Sequence, residues 1–138
     1  MGAALILHAA ATTFMGAASW YVQLVHYPRL AAVPPEKLPG RAAANITRTS
    51  VILGPVMATE LVTAGLLVLN PPARAWAAYA GAGLLAAAWG STLLVQFPIH
   101  RRLANGGDAR ELARLIRTNW VRVALWTARA LLALRLAA

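Results

Sequence analysis

The chain has no cysteine, four acidic residues and three histidines among 138 positions. Without cysteine there is no disulfide and no thiolate metal site, which removes iron–sulfur and structural zinc chemistry. No Walker loop, GxGxxG or GxSxG stretch and no catalytic triad candidate occurs, so the common nucleotide-binding and hydrolase motifs are absent too. Charged residues make up only 12% of the chain, too few to clothe a soluble domain of this size.

What is present is apolar. Hydrophobic residues reach 59% and mean hydropathy is +0.58, the composition of a membrane protein. Four segments are long enough for a bilayer core that needs about 20 helical residues: spans at about 3–26, 51–69, 75–97 and 120–137. The first lacks a basic n-region and runs on into Trp20 and Tyr21 without a clean cleavage site, so it reads as a permanent span rather than a signal peptide. The fold class expected is all-α, an integral membrane four-helix bundle in one domain, residues 1–138.

The net charge of +9 sorts by side instead of forming a nucleic-acid face. Ten cations, from Arg29 to Arg48 and from Arg101 to Arg122, fall in or beside the first and third connections, against Arg74 and Arg135 on the other side. The positive-inside bias then makes those connections cytoplasmic and puts both termini outside. Twelve of the thirteen cations are arginine, as in GC-rich bacterial genomes, which gives a bacterial inner membrane as the expected location. Membrane lipid is the expected partner, an apolar small molecule and a homo-oligomer are further options, and nucleic acid is not expected.

Proline and glycine set the expected joints. Span 1 should end near Pro28 and span 3 should bend at Pro98. The first connection, VPPEKLPGRAAANITRTS, reads as Pro-rich and then as a short interfacial helix. Asn70, Pro71 and Pro72 give a tight turn, and Asp108 is an N-cap for a helix that can run straight into span 4. Trp76 and Tyr79 suit an outer aromatic belt, and Trp20, Tyr21, Tyr27, Phe97 and Trp120 an inner one. The small residues of span 3 suit close helix approach.

YVQLVHYPRL at 21–30 and LLVQFPIHRRL at 93–103 echo one another, with Tyr-Pro falling on Phe-Pro at an offset of 70. The chain therefore also admits two parallel helix-hairpin repeats, with His26 and His100 at similar depth.

Polar residues recur on single faces of the spans. Span 1 aligns His8, Thr12, Ser19 and His26, span 2 contributes Thr49, Glu60 and Thr63, and span 3 aligns Trp89, Thr92, Gln96 and His100. In span 4 the stripe is Asn119, Arg122, Trp126 and Arg129. His8 and His26 stand roughly 27 Å apart along the helix and cannot share a metal. Glu60 and Arg129 fall near the bilayer midplane, where each charge costs at least ~2.5–3.5 kcal/mol, so they are expected to pair. That pair reads as a register-fixing ion pair or as a proton relay or substrate site. His26 and His100 are candidates to hold haem or a redox metal, with arginines meeting propionates. The alternative is an interfacial, cofactor-free role, hydrogen-bonding at the headgroup level.

Gln96, Pro98, His100 and Leu103, followed by Asn119, Trp120, Arg122 and Arg129, resemble the motifs of small four-span bacterial membrane proteins similar to the anthrone oxygenases. The likeness covers about the second half of the chain. It implies oxidation of an aromatic or otherwise apolar substrate by dioxygen inside the membrane, with His100, Asn119, Arg122 and Arg129 as catalytic candidates; Glu60 joins them through its expected pairing with Arg129. Small four-span haem proteins of the protoporphyrinogen oxidase type are a second likeness, in size, span count and a histidine near a helix end. The contrasting expectation is a non-enzymatic small transporter or assembly subunit with a structural Glu60–Arg129 pair.

Overall fold

A computed structural model describes residues 2–138, and those residues form four long helices with short connections. They are labelled here α1 (Gly2–Ala31), α2 (Pro35–Leu69), α3 (Ala75–Ala104) and α4 (Ala109–Ala137). The fold is all-helical. α1, α2 and α3 are long and apolar enough to cross a membrane. The arginine-bearing α4 is not among the helices that meet that criterion.

Polarity is inverted relative to a water-soluble protein. Large apolar side chains such as Ile6, Val51, Leu69 and Leu94 are exposed, while Glu60, Gln96, Asn119, Thr12 and Arg129 are buried. In water that arrangement would lose on both counts; in lipid the outer surface is already in its preferred solvent.

Packing follows chain order. α1 lies against α2 and α4, and α3 lies against the same two, so each pair of sequence neighbours is antiparallel. Tyr27, Leu30, Leu38, Ala42, Leu103 and Leu115 belong to one buried apolar cluster at the end that carries most of the arginines, called here the basic end. A second cluster, Met15, Met57, Ala88 and Trp126, joins all four helices nearer their middles.

The helices run further than the prolines suggest. α1 continues past Pro28 to Ala31, and α3 past Pro98 to Ala104. The reason is a π turn before each proline, Val22–His26 and Thr92–Gln96, 70 residues apart. The Tyr27 amide reaches back five residues to the Val22 carbonyl, and the Phe97 amide to the Thr92 carbonyl. A proline ring in a regular α-helix strikes the carbonyl four residues back. The wider turn relieves that clash, so the helix axis survives.

The expected interfacial helix after Pro35 is also corrected, because α2 is continuous from that proline through Leu69. Its first turns are held by Leu38 and Ala42, which bury against the basic-end cluster rather than lying flat in an interface. Pro55 sits inside this helix without breaking it, and the Thr59 hydroxyl donates to its carbonyl at 2.9 Å.

The turn between α3 and α4 depends on two glycines. Gly106 has φ +99°, which L side chains rarely adopt, and a Cβ on Gly107 would stand 2.9 Å from the Arg102 carbonyl oxygen. Asp108 then caps α4 as expected: its Oδ1 accepts from the amides of Arg110 (3.0 Å) and Glu111 (3.3 Å). Asp108→Ala is expected to destabilise the protein by about 1 kcal/mol and Asp108→Asn by only a few tenths. Unfolding from mild detergent into mixed micelles would measure this, and equal losses for the two substitutions would show that the carboxylate acts by some route other than capping.

Candidate functional site

The polar stripes of the four helices meet in two separate networks. The first lies around Glu60 and Arg129. Both side chains are at most 1% exposed, and the guanidinium Nη1 of Arg129 donates to Glu60 Oε1. The other carboxylate oxygen accepts from Trp126 Nε1 at 3.1 Å, so each oxygen has a donor. Arg129 Nε also donates to the Gly81 carbonyl at 3.2 Å, which extends the network from α2 through α4 to α3.

His8 joins from α1, with its Nδ1 2.9 Å from Thr63 Oγ1. The Thr63 hydroxyl gives its one proton to the Thr59 carbonyl (2.8 Å). With the hydroxyl proton so placed, the contact is completed by a proton on His8 Nδ1. The network links all four helices, from Trp126 toward the end opposite the basic one.

The second network lies toward the basic end, and the two π turns build it. Gln23, in the first π turn, accepts from Asn119 Nδ2 at 2.8 Å and donates to the Ile116 carbonyl at 3.3 Å. Gln96, the last residue of the second, donates to Thr118 Oγ1 at 2.7 Å. Tyr27, which follows the first π turn, is only 1% exposed. Its hydroxyl lies 3.4 Å from both Gln96 Oε1 and His100 Nε2. The expectation of Tyr27 as an interfacial belt residue is therefore corrected: it reaches across the interior from α1 to α3.

Gln96 turns its amide nitrogen toward Thr118 and its oxygen toward Tyr27. Where that oxygen takes the phenolic proton, His100 meets Tyr27 with a protonated Nε2 and keeps a lone pair on Nδ1. That Nδ1 is buried and has no hydrogen-bond partner among the described residues.

Five more buried atoms share this lack: His26 Nε2, Trp89 Nε1 and Arg122 Nε near it, and Thr12 Oγ1 and Arg129 Nη2 elsewhere. The side chains of His26, Trp89, His100 and Arg122 border two hollows between the helices that share His100 and Arg122 in their walls. One is lined by Ser19, His26, Tyr27, His100, Asn119 and Arg122. The other is a cleft of about 270 Å³ between α2 and α3, with Trp89, Leu93, Phe97, His100 and Arg122 in its walls. Leu93 and Phe97 are exposed at its outer lip, so it opens sideways, toward lipid if α3 crosses a membrane.

Arg122 lies at the meeting point. Its Nη1 donates to Asn119 Oδ1 at 3.2 Å, and its guanidinium carbon sits 5.0 Å from the centre of the Trp126 ring, a cation–π distance. The sequence-derived candidates are thus divided. His26, His100, Asn119 and Arg122 come together at the hollows, while Glu60 and Arg129 form the other network and are joined to the first through Trp126.

His26 and His100 border the same hollow, but they are not counterparts in the 70-residue echo. His26 ends the first π turn, and the matching position in the second is Gln96. Among the described residues no group of three or more His, Cys, Asp or Glu side chains stands close enough to hold a metal ion. The donor set is two imidazoles beside a guanidinium, whose positive charge opposes a cation there.

Gln23 is the member that the polar stripes did not single out. Its signal was present, since it lies on the YVQLVHYP echo, but a π turn changes which face a residue occupies. No protein-family model, curated protein or solved structure matches this chain. The resemblance to the anthrone oxygenases therefore rests on the quoted residues alone.

The Glu60–Arg129 pair generates a stability prediction. Removing one partner of a buried pair leaves an uncompensated charge, so Glu60→Leu and Arg129→Met alone should each cost about 3–5 kcal/mol. The double variant should recover most of that loss, less the hydrogen bond that Trp126 no longer makes. A double-mutant cycle of unfolding free energies measures it, and additive losses would mean that the two side chains stabilise the protein independently.

Proposed function

We propose that the chain is an integral membrane oxidoreductase that takes an apolar or aromatic substrate from the side, through the α2–α3 cleft. The observation that carries this reading is the convergence on one lipid-facing cleft of His100, Arg122 and Trp89, each with a buried nitrogen lacking a partner. Buried polar atoms are nearly always satisfied, so a cluster of unsatisfied ones lining an apolar cleft suits a ligand with a polar end.

In this reading α4 crosses the membrane with the other three helices, as it packs along α1 and α3 with Arg122 and Arg129 turned inward. The four helices then form a bundle of two parallel hairpins, which the paired π turns support. The basic end faces the cytoplasm, and the membrane is a bacterial inner membrane.

His100 is the proton acceptor, through the lone pair on Nδ1. Asn119 and Arg122 orient the substrate oxygen, and Trp89 supplies a further donor. The resemblance to anthrone oxygenases implies dioxygen as oxidant: a methylene carbon loses two hydrogens and gains one oxygen atom, and the second oxygen leaves as water. Glu60, with a donor on each carboxylate oxygen, and Arg129, bound to it and to the Gly81 carbonyl, hold the helices that carry the site.

A second reading is favoured by one observation, the complete pairing of the Glu60 carboxylate. It makes the protein a non-enzymatic transporter or assembly subunit whose polar groups fix helix register.

The test is dioxygen uptake by the purified protein with anthrone as substrate. Wild type should consume dioxygen above the protein-free rate, and His100→Ala should lower that rate about 100-fold or more while helicity is unchanged. No uptake above the protein-free rate with wild type would favour the non-enzymatic reading, and uptake that is indifferent to His100 would remove His100 from the chemistry.

A further inference from the structure

Of the four carboxylates in the chain, none serves Arg122. Glu60 is taken by Arg129 and Trp126, Asp108 caps α4, and Glu111 pairs with Arg102 at 3.1 Å. Glu36 is exposed in the first turn of α2. Arg122 is nevertheless drawn into the interior, with its Nε buried and unpartnered among the described residues and its charge met only by an amide oxygen and an indole face. Arg129, seven residues on, shows how this protein treats a buried guanidinium when it supplies the counter-charge itself. A cation in so apolar a setting calls for a counter-ion.

The surroundings specify what that counter-ion is attached to. Arg122 is the one charged residue lining the cleft, so a single anionic group is matched, not a polyanion. Trp89 Nε1 adds a neutral donor in the same walls, and Leu53, Met57, Leu93 and Phe97 supply apolar contact. At about 270 Å³ the cleft is at the small end of ligand sites and far too small for a two-chain lipid.

We infer that the α2–α3 cleft binds an amphiphilic anion, its one negative group paired with Arg122 and its apolar body lying against Trp89, Leu93 and Phe97. This rests on reading the cleft as the substrate site, and it names the substrate class. The same guanidinium would accept the anion from a small carboxylate or enolate, or from the phosphate of a neighbouring phospholipid.

The experiment is calorimetric titration of the full chain in phosphatidylcholine nanodiscs, under argon so that no oxidation intervenes. The probes are 2-naphthoate, its neutral counterpart 2-naphthalenemethanol, and inorganic phosphate. Naphthoate should bind one to one and roughly tenfold or more tighter than the alcohol, the worth of a charged hydrogen bond. Arg122→Gln should abolish that preference and Arg122→Lys should keep part of it, while exposed Arg117→Gln should leave it intact.

Replacing half the lipid with phosphatidylglycerol separates the two sources: competition with naphthoate in wild type alone would mean that a lipid phosphate reaches the site, and unchanged binding that the small anion is the preferred occupant. Equal affinity for naphthoate and the alcohol would overturn the inference, as would a preference that survives in Arg122→Gln. Inorganic phosphate binding as tightly as naphthoate would overturn the apolar half of it. Should Arg122→Gln not fold, the carboxylate–alcohol comparison in wild type and Arg122→Lys decides. Anion preference without dioxygen uptake would sink the oxidoreductase reading alone. Uptake with neutral substrates and no anion preference would sink this inference alone.

Discussion

One carboxylate holds the middle of this structure. Glu60 takes a donor on each oxygen, from Arg129 and from Trp126, both on α4. The bridge joins two helices whose main packing partners are α1 and α3 rather than each other. In lipid the hydrophobic effect does not press helices together, so interior polar contacts and close packing carry the association. Because Arg129 also grips the Gly81 carbonyl, one ion pair sets the relative height of three helices.

The second network inherits its geometry from the first. Trp126 links them: one edge of its indole donates to Glu60, and Arg122 lies over its ring. Fixing the rotation of α4 at Trp126 also fixes where Arg122 and Asn119 point, since they lie one and two turns earlier on the same face. Stability and site are therefore divided between two arginines seven residues apart. One has its counter-charge within the chain, and the other is left facing the cleft.

Much of this was legible because lipid makes polar residues conspicuous. A Glu and an Arg at matching depth in apolar segments must find each other, and the stripes through His8, Asn119 and Arg129 do face inward. Asp108 was readable as a cap from its place after a glycine pair. The ends of α2 at Leu69 and of α3 at Ala75 fall where the Asn-Pro-Pro turn puts them, but the passage of α1 through Pro28 and of α3 through Pro98 was not readable, because proline rules assume α-helical hydrogen bonding and a π turn evades them. Tyr27 was hidden for a different reason. An aromatic beside a proline and an arginine looks like an interfacial anchor, and only the packing of α1 on its neighbours shows its hydroxyl turned toward Gln96 and His100. The solitary state of Arg122 was equally invisible, since it depends on where all four carboxylates are spent.

The paired π turns also bear on how such a protein can change over generations. Each turn houses one residue more than a regular helix would, so deleting a single codon there would leave a continuous α-helix whose later residues keep nearly their present directions, because the wide turn has already absorbed the extra residue. What would go is the room for the proline ring: Pro28 or Pro98 would again meet the carbonyl four residues back. Deleting Gln23 or Gln96 itself would also remove its contacts with α4. The bridge at Glu60 and Arg129 would be untouched, since neither residue lies on a helix with a π turn. The lining of the site can thus be altered by a one-residue length change while the part that holds the helices together stays the same.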